Sequence, residues 1–245
     1  MFASHRVLVL AGMLLLSAAA RANQVLTLTS GEWLPYISEQ APHHGPISRI
    51  VTEAFALEGV QVNYVFRPWS RAYAEAAFGS ANGSIVWSAS RRDTDRRRKF
   101  LISDAVFEGR SVFFHLKTFQ WDGRSVAAVR MGGTAGYEYV FDKDPRIVMD
   151  KSAASDTLNF RKLAASRFDV FPANLDVGRH IMRSELPPEQ ADLITWDPRP
   201  YNITQYHLLL SQRDPASRRY MVLFNRGLKR LRESGKYAEY LQALQ

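Results

Sequence analysis

Between Val25 and Trp87 the chain alternates without a break between short β-branched runs and amphipathic helical stretches, and this alternation restricts the fold more than any other feature of the sequence. Val25-Leu26-Thr27-Leu28-Thr29, closed by Ser30-Gly31, reads as a strand, since β-branched residues suit a pleated surface and glycine ends it. After Pro46, Ile47, Ile50, Val51, Ala54 and Phe55 recur at helical spacing as far as Gly59, which puts them on one face of a helix. Val60, Val62, Tyr64 and Phe66 alternate with polar or smaller residues as a second strand. Trp69 to Phe78 fits a second helix, Gly79 to Ser84 a loop, and Ile85-Val86-Trp87 a third strand. Two consecutive crossovers of this kind predict an α/β fold with a parallel sheet. Ligands are then expected at the carboxyl ends of its strands.

The remainder repeats this logic. Val112-Phe113-Phe114 is apolar, a strand is predicted from Val126 to Val129, and the Gly-rich Gly132-Gly133-Thr134-Ala135-Gly136 leads into a helix or turn from Tyr137. Asp156 begins a helix through Leu158, Phe160 and Leu163, Asp169-Val170-Phe171 follows as a strand, and Ile203 to Leu210 is another. Asp214-Pro215 predicts a helix start, with aspartate as cap and proline in the first turn. Tyr220, Leu223, Phe224, Gly227, Leu228 and Leu231 mark one face of that helix, stopped at Gly235, and Tyr237, Tyr240 and Leu241 belong to a last short one. The absence of any repeat or flexible linker points to two α/β regions that share crossing strands.

A chain of 245 residues, 46% hydrophobic, buries a sizeable core. It has no cysteine, which excludes a disulfide scaffold, thiolate-bound zinc, iron–sulfur clusters, a cysteine nucleophile and a lipid anchor on an N-terminal cysteine. His43, His44, His115, His180 and His207 show no short repeated spacing, and Gly-x-Ser-x-Gly, His-Glu-x-x-His and Walker sequences are lacking. No metal and no cofactor is expected. The net charge of +8 raises nucleic acid, anionic membranes and acidic ligands as partners. However, the first 22 residues carry His5 and Arg6, an apolar run from Val7 to Leu16, and small residues at Ala20 and Ala22. That is the layout of a secretory signal cleaved after Ala22. Cleavage removes Arg6 and Arg21 and no acid. An exported chain is not expected to meet nucleic acid, and without a second long apolar run the mature protein is expected to be soluble.

Several segments, taken in order, carry a resemblance. They are Gly31-Glu32-Trp33-Leu34-Pro35-Tyr36, Pro68-Trp69-Ser70-Arg71-Ala72-Tyr73, Arg96 to Ser103-Asp104, Gly136-Tyr137-Glu138-Tyr139, Arg167-Phe168-Asp169-Val170-Phe171, and Phe224-Asn225-Arg226-Gly227-Leu228 through Ser234-Gly235-Lys236-Tyr237. The chain resembles extracellular solute-binding protein family 3, the polar-amino-acid type of periplasmic binding protein, over almost all of its mature length. Ile102 stands where that family usually has Phe. The resemblance implies a two-lobed type II fold, each lobe a mostly parallel sheet flanked by helices. Residues 23–113 would form lobe 1, 114–201 lobe 2, and 202–245 a return to lobe 1 with C-terminal helices. It also implies a periplasmic monomer, not an enzyme, that captures a small amino-acid-like or carboxylate solute between the lobes for an inner-membrane ABC permease.

On the same resemblance, Arg96 falls where the family grips a ligand carboxylate, and its planar guanidinium suits that task. Arg91, Arg92, Arg97, Arg98 and Lys99 crowd the same stretch, so most of these charges must be solvated. Gly136 and Tyr137 sit where backbone N–H groups at a helix start meet an anion, or where a turn simply needs glycine. Trp33, Tyr36, Trp69 and Trp87 offer aromatic faces to a planar ligand or a cation, and at least two are expected to line the cleft. Arg71 and Ser88 complete the candidates on the lobe 1 side. Asn174 falls where amino-acid binders of the family carry an aspartate for the ligand ammonium. An amide cannot supply that charge, and Asp176 either substitutes or caps the helix near Val177. Two further readings stay open: a dehydratase of prephenate-like substrates, needing a cleft carboxylate as general acid with Glu138 and Asp176 as candidates, and a sensory or accessory protein that presents ligand to a membrane partner.

Overall fold

The computed structural model describes residues 24–89, 94–120, 126–135, 137, 139–242 and 244. The signal segment, Arg91, Arg92, Gly136 and Glu138 lie outside the described residues. The first half follows the predicted alternation: β1 (Gln24–Ser30), α1 (Pro46–Ala56), β2 (Val60–Phe66), α2 (Trp69–Phe78) and β3 (Gly83–Ser88). β1 pairs in parallel with both β2 and β3. Helix α1 buries Ile47, Ile50, Val51, Ala54 and Phe55, and burying an apolar side chain of the size of Ile or Phe contributes about 1.5–3 kcal/mol. The helix gives way to Gly59, whose φ of 75° takes the left-handed turn that a side chain resists.

The chain continues through α3 (Thr94–Lys99), the long β4 (Phe100–Leu116), β5 (Met131–Thr134), β6 (Met149–Ala153), α4 (Asp156–Ala164), β7 (Val170–Asn174) and α5 (Leu175–Ser184). Then come α6 (Pro188–Ala191), β8 (Ile194–Trp196), β9 (Asn202–Ser211), α7 (Ser217–Glu233) and α8 (Lys236–Gln242). The strands join in the order β2-β1-β3-β9-β4-β7-β5-β6, with β8 on β4. Each end of this order is a parallel triplet, β2-β1-β3 and β7-β5-β6. Antiparallel β9 and β4 join the triplets. β4 pairs with β9 from Phe100 to Ser111 and with β7 from Ser111 to His115, so it changes partner at Ser111. Because β3 runs with β4 and β7 runs against it, the carboxyl ends of the two triplets face each other across this point.

Several segments differ from the sequence expectation. Val126–Ala128 is a 3-10 turn, and the strand predicted from Val126 to Val129 lies later, at Met131–Thr134. Its glycines serve packing, since a Cβ on Gly132 would stand 2.3 Å from the Phe168 ring. β4 starts well before Val112, because exposed Asp104, Glu108 and Arg110 and two register shifts break its alternation. Asp214 does not cap α7, which starts at Ser217. Its carboxylate accepts from Ala216 N at 2.8 Å and from Asn82 Nδ2 at 2.8 Å, which fixes the turn before the helix. Helix α7 packs on α1 so closely that a Cβ on Gly227 would come within 1.9 Å of the Ala54 carbonyl oxygen. No helix of the described residues is long and apolar enough to cross a membrane.

Candidate functional site

A cavity of about 220 Å³ lies at the partner change of β4 and is lined by Ser111 itself. The first strand group contributes Trp33, in the turn after β1, and Ser88, the last residue of β3. Asn202, Thr204 and Tyr206 of β9, with Tyr201 just before it, form a second wall. The other triplet contributes Tyr137 and Tyr139 after β5, Asp156 after β6, and Pro172, Ala173 and Asn174 at the end of β7. The carboxyl ends of β3, β5, β6 and β7 thus supply the lining, as expected for a parallel α/β sheet. At roughly 30 Å³ per water, the volume holds about seven waters, or a small organic molecule in their place.

Local structure fixes each contributor. A tight turn holds Trp33, whose N–H donates to Ile37 O at 2.9 Å while Ile37 N–H donates back to Trp33 O at 2.9 Å. The indole packs on Tyr36 and Tyr206, with centroids 4.6 and 4.9 Å away. Asn174 caps α5, its Oδ1 accepting from Asp176 N at 3.0 Å and Val177 N at 3.4 Å. The amide oxygen thus satisfies the helix start, a task that an aspartate would perform equally well. Asp156 is the first residue of α4, capped by the Ser155 side chain. One carboxylate oxygen of Asp156 accepts from Thr134 Oγ1, and that hydroxyl in turn accepts from Asn159 Nδ2 at 3.0 Å. Tyr139 OH accepts from Thr134 N at 2.8 Å.

The lining is aromatic and nearly without charge. Asp156 is its one carboxylate, and no lysine, arginine or histidine belongs to it among the described residues. Burial raises the Asp156 carboxyl above the ordinary aspartate value. Burial first, and then the charge of Asp156, holds the Tyr137 phenol above its usual range. Burial likewise raises Tyr201, and it pushes Tyr206 up to about 12. All these hydroxyls are therefore neutral donors at physiological pH.

Of the residues expected from sequence, Trp33, Ser88, Tyr137 and Asn174 line the pocket. Tyr36 and Asp176 lie outside the lining but are joined to it. Tyr36 is fully buried, and its hydroxyl stands 2.6 Å from Asn174 Oδ1 and 2.8 Å from Asp176 Oδ2. Trp69 and Trp87 pack edge to face, 5.2 Å apart, and are not in the lining. Trp69 is held there by Glu32 O, to which its Nε1 donates at 3.2 Å, and by Gly31, where a Cβ would strike its ring at 2.6 Å. Only Trp33 of the four expected aromatics lines the pocket. Arg71 is exposed and paired with Glu75 at 2.7 Å. Arg96 donates through Nη1 to Ser88 O and lies over the Tyr73 and Trp87 rings at 5.5 and 5.6 Å, outside the lining. Gly136 lies outside the described residues.

Sequence reasoning passed over Asp156, Tyr201, Asn202, Thr204 and Tyr206 as pocket residues. Asp156 was legible only as a helix start. The signal that marks it is its place directly after a parallel strand, β6, and that strand is too polar to be read from Met149-Asp150-Lys151-Ser152-Ala153. No group of three or more His, Asp or Glu residues among the described residues is arranged to hold a metal.

No protein-family model matches the chain, and no curated protein matches it. Solved structures do. A probable amino-acid ABC transporter extracellular-binding protein from Bacillus subtilis superposes with a TM-score of 0.74 at 10% identity, over 89% of this chain and 96% of that one. The fold is the type II periplasmic-binding-protein fold. An amino acid ABC transporter substrate-binding protein from Streptococcus pneumoniae, bound to L-arginine, gives 0.68 at 14% identity, over 93% and 97% of the two chains. A histidine kinase sensor domain with similarity to periplasmic binding proteins gives 0.68 at 17% identity, over 90% and 96%. At these identities the likeness is one of fold.

Proposed function

We propose that the protein is a periplasmic solute-binding protein that captures a small, amino-acid-like solute in this pocket and delivers it to an inner-membrane ABC permease. The observation that carries the reading is the placement of the pocket. It lies where the carboxyl ends of two parallel triplets meet, with walls from both. In this proposal residues 23–113 and 202–245 form one lobe, 114–201 the other, and β4 and β9 the hinge. Ligand favours closure by the contacts it makes only when both walls reach it. Ser88, Ser111, Asn202 and Thr204 supply neutral hydrogen-bonding groups to orient the solute, and the tyrosines and Trp33 supply its apolar surface. The likeness to binding proteins of amino acid transporters, one with bound L-arginine, supports the same class of cargo. The signal-like segment before Asn23 supports export.

A thermal-shift screen of amino acids, amines and carboxylates tests the proposal, because a ligand that binds only the folded state raises the melting temperature by mass action. Saturable stabilisation by a small solute is expected, and none with any member refutes it. One observation favours a second reading. Asp156 is a half-buried carboxyl whose affinity for a proton is raised by burial, as a general acid requires. That reading predicts turnover of prephenate-like substrates by stoichiometric protein, and unchanged substrate rejects it.

A further inference from the structure

The distribution of charge around the pocket specifies the solute more closely. Among the described residues Asp156 is the only carboxylic acid in the lining, and no cation pairs with it. Two cations that bond to lining residues are committed elsewhere. Lys151 Nζ, 5.0 Å from the Tyr139 ring centroid, donates to Asp142 Oδ1 at 2.6 Å and to Tyr137 O at 3.1 Å. Arg96 is held on Ser88 O against Tyr73 and Trp87. Around Asp156 the walls are phenols, and Tyr137, Tyr139 and Tyr201 all lie close enough for its charge to resist their ionisation. Aromatic faces attract a cation through their quadrupole, and a half-buried carboxylate whose hydrogen-bond partner is a neutral hydroxyl, Thr134 Oγ1, stays without a counter-charge until a cation arrives.

We propose that the pocket selects a small organic cation, an ammonium or guanidinium group seated against Asp156 and the rings of Tyr137 and Tyr201. This rests on the solute-binding reading and adds the charge of the solute to it. The neutral donors on the opposite wall take whatever polar group the rest of the molecule carries, so a cationic amino acid and a simple amine share the same seat. Glu185, whose charge also acts on Asp156, adds to the negative potential. Anionic solutes meet that potential without a compensating arginine in the lining.

The test uses pairs of probes that match in shape and differ in charge: L-arginine with L-citrulline, L-lysine with L-norleucine, and n-butylamine with n-butanol, plus L-glutamate as an anion. Calorimetric titration of the wild-type protein is expected to show the cationic member binding at least about tenfold more tightly than its partner, the scale of one charge-assisted hydrogen bond. In Asp156→Asn that preference is expected to disappear while the neutral member keeps its affinity. Binding in which a neutral or anionic probe equals or exceeds its cationic counterpart overturns the inference and leaves solute binding standing. Failure of every probe overturns both. The wild-type comparison decides between these outcomes even if the variant does not fold.

Discussion

The Tyr36 hydroxyl links the N-terminal segment to the start of α5. The Tyr36 hydroxyl has one hydrogen and two neighbouring acceptors, Asn174 Oδ1 at 2.6 Å and Asp176 Oδ2 at 2.8 Å. Asn174 Oδ1 already accepts two backbone N–H groups, so the hydrogen is directed to the Asp176 carboxylate. A hydrogen bond to a charged group contributes about 1.5–3 kcal/mol net, and the tyrosine is fully buried, so no water replaces it. Tyr36→Phe keeps the ring in place among Trp33 and Phe107 and removes only the hydroxyl. At ~2–4 °C per kcal/mol for a domain of this size, the melting temperature should fall by roughly 3–12 °C, measured by circular dichroism or calorimetry. In an Asp176→Asn background the same change should cost half as much or less, because the bond is then neutral. A Tyr36→Phe protein that melts within 1 °C of wild type, or a double-mutant cycle without coupling, refutes the assignment of the hydrogen to Asp176.

Other consequences are simpler. Gly227→Ala should lower the melting temperature, since the new methyl overlaps the Ala54 carbonyl oxygen and overpacking costs about 1–3 kcal/mol, against a gain in helix propensity of about 1 kcal/mol. Glu58 accepts from Arg226 Nε at 2.8 Å and Arg230 Nη1 at 3.1 Å, which holds its carboxyl below the ordinary 4.5. Its contribution is present above that value and lost as pH falls through the lower folded one. Glu58→Gln should therefore flatten acid unfolding curves below pH 4.5. Asp156 has the opposite sign: burial raises its folded value above 3.8, so the ionised group costs stability at neutral pH, a cost that vanishes in acid. Without ligand, Asp156→Asn should melt at or above wild type at pH 7, and the difference should shrink as pH falls through the raised folded value towards 3.8.

How much of this was legible in the sequence depends on whether the signal is local. β2 and α2 appear at their predicted bounds because Val60 to Phe66 alternates cleanly and Trp69 to Phe78 carries a helical face between Pro68 and Gly79. Where a strand lies against a bulky partner, the rule inverts. Gly132 looks like a turn residue and is a strand residue because Phe168 occupies the space of its side chain. The site divides the same way. Trp33, Ser88, Tyr137 and Asn174 end or follow strands and could be placed by counting. Trp69 and Trp87 have the right chemistry, yet each finds its partner in the other. Asp156, Tyr201 and Tyr206 enter the pocket only through pairing between strands far apart in sequence, which no local pattern records.

The central claim is that this pocket holds one small solute. Titration calorimetry of the mature chain against amino acids and amines tests it most directly, with Asp156→Asn and Trp33→Ala alongside. One binding event per chain with a saturable heat is predicted, weakened at least about tenfold by Trp33→Ala and, for a cationic solute, by Asp156→Asn. Flat titrations with every solute, or binding that both variants leave unchanged, would contradict it.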